Sequence, residues 1–346
     1  MKYNTSFYHN AKVQFGSFNQ EIEERFKFKK LYNKFVSRLM DYDFIFSYTN
    51  YYSLEKEEIL YPNTISKQIC IFCLKDEGQT TFGNKPHVIP YFLGNKYLLH
   101  SGECDECNAY FSKSLEDALD KYTAPFRTLS LMKNRRKKLT KFTSNKGDFI
   151  YAYNRSQNAF TMSGENLNSY VYDDENGILQ ITFDLKRHRP VEVYKAFMKI
   201  FYGLLPREEH KKFTELRSWI MNKNASKFIA KPLQVIRSWY PSFTTMPLTI
   251  FILRRKSSLE LEPNSFDYSG LISFGNVVYE MPIFSDAFLE NAKKLQSKGK
   301  SLNFTLQLLP KPFPTIHSEM IDFSNPEYIT DKYEINFKYK DRITNV

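Results

Sequence analysis

The chain has 346 residues, 42% of them hydrophobic and 25% charged, which is enough apolar material for one large folded domain or two ordinary ones. No stretch approaches the roughly 18 uninterrupted apolar residues that a membrane-spanning helix needs, and the N-terminus lacks the apolar core of a signal peptide. The net charge of +11 favours a polyanionic partner such as nucleic acid. We therefore expect a folded cytoplasmic protein with no membrane partner.

Residues 1–64 are predicted to form an N-terminal helical segment. Between Asn19 and Met40, apolar residues recur at steps of three to five positions, and charged residues occupy the positions between them. This spacing indicates one amphipathic helix.

Residues 65–125 contain four cysteines in two Cys-x-x-Cys pairs: Cys70, Cys73, Cys104 and Cys107. In a reducing cytosol such pairs are typical of metal sites rather than disulfides. Each pair can form a tight turn whose thiolates face one tetrahedral ion, so together they predict a closed zinc site with four cysteine ligands. Such a site has no open coordination position, and its zinc stabilises the fold. Two buried cysteine pairs without metal, or an iron–sulfur cluster, are the alternatives.

The residues between and after the cysteine pairs suggest a small mixed unit. The run "KPHVIP" is typical of a short strand, Gly94 and Asn95 of a turn, and "NAYFSKSLEDALDKY" of a helix after the second pair. The expected order is strand, turn, strand and helix, with cysteines at both ends.

Residues 126–346 are predicted to form a larger α+β C-terminal domain of unknown role. After a basic run at 132–142 come two hairpins, at 147–164 and 169–185. Helices are expected to begin at Pro190 and Pro206. Strands are expected over 246–256, 270–284 and 301–309, with a further helix near 285–297. No catalytic signature is visible in this part.

The motifs C-x-x-C, H-V-I-P-x-x-L-G-N and C-x-x-C-N-x-x-F together resemble the zinc-knuckled branch of the HNH endonucleases. The resemblance covers about Cys70 to Tyr122. It implies an α+β fold with a ββα-metal finger, in which two strands and a helix surround one catalytic divalent ion and the zinc held by the four cysteines braces the finger.

The resemblance also assigns roles to three residues. His87 matches the general base that activates water, and an imidazole with a pKa near 6.5 can accept a proton at cytosolic pH. Asn108 matches the ligand of the catalytic Mg²⁺ or Mn²⁺, and Asn95 matches the residue that ties the loop together. The structural alternatives are a packed histidine, a helix cap and a plain turn, respectively.

One position departs from the family pattern. Many members carry an acidic metal ligand just before the histidine, where this chain has Pro86. Either Asn108, water and phosphate oxygens hold the ion, or the nuclease is weakened. His100, Asp105 and Glu116 are further candidates for the missing ligand.

The sequence therefore predicts a metal-dependent HNH endonuclease that acts on DNA. By analogy with other free-standing nucleases of this type in bacteria, its expected role is defence against phage. The alternative is a catalytically weakened, zinc-dependent nucleic-acid-binding protein. The C-terminal domain is a candidate surface for a homodimer or a partner protein. Four cations in the basic run are candidate phosphate contacts, with a solvated linker as the alternative: Arg135, Arg136, Lys137 and Lys138.

Overall fold

The structure is a computed structural model, and it describes residues 37, 40–50, 58–60, 67–164, 170–239, 246–256, 266–299 and 317–338. Within these ranges the chain forms five α-helices and fourteen β-strands. The fold class is α+β, as the sequence predicts.

The helices are α1 (Asp105–Lys113), α2 (Leu115–Leu129), α3 (Pro190–Leu204), α4 (Thr214–Met221) and α5 (Asp286–Ser297). The first eight strands are β1 (Tyr42–Thr49), β2 (Glu58–Leu60), β3 (Leu98–His100), β4 (Lys141–Thr143), β5 (Phe149–Asn154), β6 (Ala159–Gly164), β7 (Tyr170–Asp173) and β8 (Ile178–Asp184). The remaining strands are β9 (Gln234–Trp239), β10 (Met246–Arg255), β11 (Tyr268–Gly275), β12 (Val277–Pro282), β13 (His317–Asp322) and β14 (Lys332–Lys338).

The largest sheet is antiparallel and has six strands in the order β1-β10-β11-β12-β9-β13. Strands β11 and β12 are buried along their whole length and form the centre of this sheet. The single strand predicted over 270–284 is wrong, because the chain reverses direction at Gly275, whose φ of 57° suits glycine. The predicted strand over 246–256 is confirmed as β10.

Strand β1 lies in the N-terminal segment, for which the sequence predicts only a helix. It pairs antiparallel with β10, from Tyr42 opposite Arg255 to Thr49 opposite Thr249. The prediction that residues 1–64 form a helical segment is therefore wrong for Tyr42–Thr49, which form an edge strand of the large sheet. Of the helix predicted between Asn19 and Met40, the structure describes only Ser37, which is helical, and Met40, which lies in a turn. The strand predicted over 301–309 lies outside the described residues.

Both predicted hairpins are confirmed and belong to two further sheets. Strands β5 and β6 pair next to β4, and β7 and β8 pair next to β14. Strands β2 and β3 form a short parallel pair beside the cysteines.

The helix predicted from Pro190 is confirmed as α3, and the one predicted near 285–297 is confirmed as α5. The helix predicted from Pro206 is wrong in its first half, because α4 begins only at Thr214 after a single 3-10 turn at His210–Lys212. The backbone N–H groups of Thr214 and Glu215 donate to the Asp286 carboxylate at 3.0 Å each. The Asp286 carboxylate from α5 thus caps the N-terminus of α4. The sequence around Thr214 gives no indication of this distant partner.

Helix α3 is buried on nearly all sides and packs between the large sheet and the cysteine region. Toward the sheet, the Phe201 ring lies so close to Gly270 that a Cβ there would approach the ring to 2.5 Å. Toward the cysteines, the ring centroid of Tyr202 lies 5.4 Å from that of Phe72. No helix in the described ranges is long and apolar enough to span a membrane.

Candidate metal centre and active site

The four cysteines lie on two compact turns. Cys70 and Cys73 belong to a turn in which the Leu74 N–H donates to the Cys70 carbonyl at 2.9 Å, and Leu74 adopts a φ of 62° to close it. Cys104 immediately precedes α1, and Cys107 lies in the first turn of that helix. Each pair therefore directs two sulfur atoms to one point.

The sulfur positions fit a tetrahedral ion. Cys70 Sγ lies 3.7 Å from Cys107 Sγ, Cys73 Sγ lies 3.6 Å from Cys104 Sγ, and all four sulfurs lie within 4.8 Å of one another. Zinc–sulfur bonds of about 2.3 Å in a tetrahedron require sulfur separations of about 3.8 Å. The cluster is thus positioned to bind a metal ion and is compatible with structural zinc.

The electrostatics of the thiols also favour a cation. The hydrogen bond with Cys70, burial and the charges of the other sulfurs raise the pKa of the Cys107 thiol well above its ordinary value. Four thiols in this geometry cannot all ionise on their own, whereas a bound divalent cation deprotonates its thiol ligands.

His87 lies half-buried on the loop that leads to β3. Its backbone pairs with Leu99, and the His100 N–H donates to the Pro86 carbonyl at 2.8 Å. Of the strand predicted for "KPHVIP", only this single backbone bridge is formed. Pro86 and Pro90 have no backbone N–H group to donate to a neighbouring strand. The His87 ring meets the Tyr91 ring edge to face, with centroids 5.8 Å apart.

Asn95 is fully buried and organises the loop between His87 and β3. Its Nδ2 donates to the Ile89 carbonyl at 2.9 Å and to the Leu98 carbonyl at 2.8 Å, and its Oδ1 accepts from the Leu98 N–H at 2.9 Å. One side chain thus satisfies three buried backbone groups, which is more than a plain surface turn requires.

Asn108 is the fourth residue of α1 and is half-buried. Its N–H donates to the Cys104 carbonyl at 2.9 Å, and Cys104 occupies the cap position, so Asn108 does not cap the helix. Three residues earlier, Asp105 accepts the backbone N–H groups of Gly83 and Asn84 at 2.9 Å each. Residues three positions apart lie on the same face of a helix. Asn108 is therefore one helical turn after Asp105, which binds the loop that leads to His87.

The three further candidates for the missing ligand are engaged in structural contacts. Asp105 accepts four hydrogen bonds from residues 81–84, the strongest from the Thr81 hydroxyl, and they lower its pKa to about 2. His100 is buried with both ring nitrogens hydrogen-bonded to backbone groups. Glu116 pairs with Lys199 at 3.1 Å. The Pro86 ring is buried as well.

The basic run forms a small exposed hairpin, hereafter the basic hairpin (residues 133–139). Lys133 pairs with Leu139, and the Asn134 N–H donates to the Lys138 carbonyl at 2.8 Å. The guanidinium of Arg135 lies over the Tyr91 ring, 5.5 Å from its centroid, so the basic hairpin stands beside the ring that contacts His87. Arg135, Arg136, Lys137 and Lys138 are exposed and form no ion pair among the described residues.

Sequence reasoning missed Lys199, the residue that joins this region to the rest of the fold. Its ammonium group is buried and lies 3.2 Å from Glu103 and 3.1 Å from Glu116. A lysine within the apolar run of α3 was the available signal, because charged side chains are rarely buried unless they are paired. Nearby, the Tyr202 hydroxyl donates to the Ile71 carbonyl at 3.2 Å, beside the first cysteine.

Residues 70–123 match the family model described as HNH endonuclease. The match contains both cysteine pairs, His87, Asn95 and Asn108. No curated protein and no solved structure matches the chain.

Proposed function

Since residues 70–123 form an HNH endonuclease domain, we propose that the protein is a metal-dependent endonuclease that hydrolyses phosphodiester bonds in DNA. The domain supports nuclease activity on nucleic acids in general, and DNA is the substrate we propose. The observation that carries the proposal is the position of His87: it is half-buried beside Tyr91, on a loop that Asn95 organises.

We propose that His87 is the general base. Its imidazole takes a proton from a water molecule, and the water oxygen forms a bond to phosphorus as the bond to the 3′ oxygen breaks. The leaving oxygen gains a proton from solvent, which gives 5′-phosphate and 3′-hydroxyl ends. Asn95 contributes by positioning: its bonds to Ile89 and Leu98 hold the loop of His87 against β3.

Asn108 is the proposed protein ligand of a catalytic Mg²⁺ or Mn²⁺ ion. Its amide oxygen is neutral, Pro86 offers no donor, and the nearby acidic groups are engaged elsewhere. Water and substrate phosphate oxygens would supply the remaining ligands, which suits an ion that keeps most of its waters. Such an ion supplies stabilisation of the charge that develops on the phosphate in the transition state.

The basic hairpin is the proposed contact with the phosphates next to the cleaved bond. Its exposed cations have no acidic partners among the described residues, and Arg135 holds it against Tyr91 beside His87. Cationic side chains of this kind position a nucleic-acid backbone without reading its bases. We also propose defence against phage as the setting, by analogy with free-standing nucleases of this family.

Incubation of the purified full chain with supercoiled plasmid tests this function. We expect nicking that requires Mg²⁺ or Mn²⁺ and stops when EDTA is added. Binding of the plasmid without cleavage at any divalent ion would instead support the second candidate, a catalytically weakened nucleic-acid-binding protein, for which Pro86 is the specific observation.

A further inference from the structure

A second group of cations lies directly after β8, at residues 186–189. After β8, Leu185 and His188 form backbone hydrogen bonds with Asp331 and Ile329, so this segment is extended. Successive side chains of an extended segment point to opposite sides. His188 is buried against Tyr122, and the arginines on either side of it therefore point outward.

These two arginines share one exposed aromatic ring. The guanidinium of Arg187 lies 5.2 Å from the Tyr328 ring centroid and that of Arg189 lies 4.2 Å from it, while Tyr328 is 45% exposed. We refer to Arg187, Arg189 and Tyr328 as the Tyr328 cluster. Stacking on an aromatic ring holds a guanidinium in a fixed orientation while its N–H groups stay free to donate.

The charges of the cluster are only partly compensated. Arg189 pairs with Glu192 at 3.3 Å. Arg187 is exposed and has no acidic partner among the described residues. The two like charges on one ring repel each other, so an anion that bridges them gains more than it would at a single arginine. Lys186, also exposed, adds a third cation beside them.

The cluster is connected through β4 to the basic hairpin. The Arg187 N–H donates to Asn145 Oδ1 at 3.1 Å, and Asn145 follows β4, whose Lys141 is exposed. Lys138 and Asn145 are seven residues apart, which limits the distance between them to about 24 Å. Successive nucleotides of one strand rise about 3.4 Å along B-DNA, so a strand of about seven nucleotides spans that distance.

We propose that the Tyr328 cluster is a second nucleic-acid contact, which binds the phosphodiester backbone of the substrate away from the bond that is cut. This inference rests on the proposed nuclease function and adds a length to it: a substrate that extends about seven nucleotides beyond the basic hairpin is long enough to reach both contacts. Arg187 carries the phosphate contact, and Tyr328 fixes the direction of its guanidinium.

Binding of a fluorescein-labelled 30-base-pair duplex to the full-length His87→Ala protein tests the proposal without relying on cleavage. Adding Arg187→Ala should raise Kd about threefold or more and should reduce the slope of log K against log salt by about 0.9, the value expected for one lost phosphate contact. Adding Tyr328→Ala should also raise Kd, because the unsupported guanidinium is less ordered.

Lys293→Ala, which removes one exposed cation on α5, is the matched control and should leave Kd and the salt slope unchanged. Thermal unfolding of each variant verifies that it is folded. If Arg187→Ala binds like its parent while Arg135→Ala binds more weakly, the cluster is not a contact although the proposed function stands. If the parent binds no DNA at all, both proposals are wrong.

Discussion

His100 Nε2 donates a hydrogen bond to the Gly203 carbonyl oxygen, 3.1 Å away, and ties β3 of the HNH domain to α3. Its Nδ1 accepts from the Gly102 N–H at 2.9 Å, which fixes the neutral tautomer. A Cβ at position 203 would lie 3.0 Å from Val88 Cγ2, so glycine permits this close approach. We infer that the position of the loop that carries His87 depends on its packing against α3, which comes much later in the chain.

The stability of the protein should depend on pH through His100. Burial, and next the charge of Lys199, lower the pKa of His100 to about 3, against about 6.5 in an unfolded chain. Because the unfolded state takes up the proton, the free energy of unfolding should fall as pH decreases from about 6.5, by up to about 1.4 kcal/mol per pH unit. Urea unfolding between pH 7.5 and 5 measures this slope.

The control for that slope is His100→Gln, which removes the titrating group. Burial also lowers the pKa values of His188 and His210, which adds slope of the same sign, whereas burial raises the pKa of Glu103 to about 7, which adds slope of the opposite sign below that pH. The variant should be less stable at pH 7.5 and less sensitive to acid. Equal slopes in variant and wild type would show that His100 does not carry the effect.

Replacing Cys104 with Ser should prevent the four-cysteine cluster from holding the zinc ion that we expect there. Three remaining sulfurs hold the ion more weakly, and metal binding contributes to the folding free energy of such domains. We expect about one equivalent of zinc in the wild type and much less in Cys104→Ser, with a large fall in the unfolding temperature. Glu106→Gln, at a position between Cys104 and Cys107 in sequence, is the control, because the ion pair that Glu106 forms with Lys75 is exposed and contributes little to stability. Full zinc content and stability in Cys104→Ser would contradict a zinc site built from all four cysteines.

Lys199→Met should destabilise the protein by about 3–5 kcal/mol, since removing one partner of a buried ion pair leaves an uncompensated charge. Glu103 would then lack its cation, and burial already raises its pKa to about 7. The double variant Lys199→Met/Glu103→Gln should recover part of the loss in urea unfolding. No recovery would mean that the packing of Lys199, and not its charge, matters at this interface.

Asn95→Asp should impair both folding and cleavage, although it is isosteric. It replaces the donor that faces the Ile89 and Leu98 carbonyls with an oxygen, which repels them in a buried site. We expect a loss of about 2–4 kcal/mol in the free energy of unfolding. Asn224→Asp is the matched control, because its exposed Oδ1 accepts a bond from the Ser226 N–H and aspartate can do the same. Similar stability in both variants would contradict the loop-organising role.

Several parts of the fold were predictable because their signals are local. The spacing of the cysteines predicts the metal cluster, and Pro190 correctly predicts where α3 begins. Both hairpins follow from short polar turns between strands rich in aromatic and β-branched residues. Each of these patterns acts within a few residues, where backbone geometry limits the choices.

The remaining features depend on partners that are distant in sequence. Strand β1 exists because β10, about two hundred residues away, offers it an edge. Helix α4 begins where Asp286 caps it, and no pattern around Thr214 shows that carboxylate. The placement of the basic hairpin beside His87 likewise requires the contact between Arg135 and Tyr91. Such pairings are decided by tertiary packing rather than by local propensity.

The most direct test of the central claim is the rate of plasmid nicking by His87→Ala and wild type in Mg²⁺ or Mn²⁺. We predict that the variant keeps its zinc and its unfolding temperature but cleaves roughly 10²-fold more slowly, the scale expected for loss of a general base. His317→Ala, at an exposed histidine of β13, should cleave like the wild type. Equal rates for His87→Ala and wild type would contradict the assignment of His87 as the catalytic base.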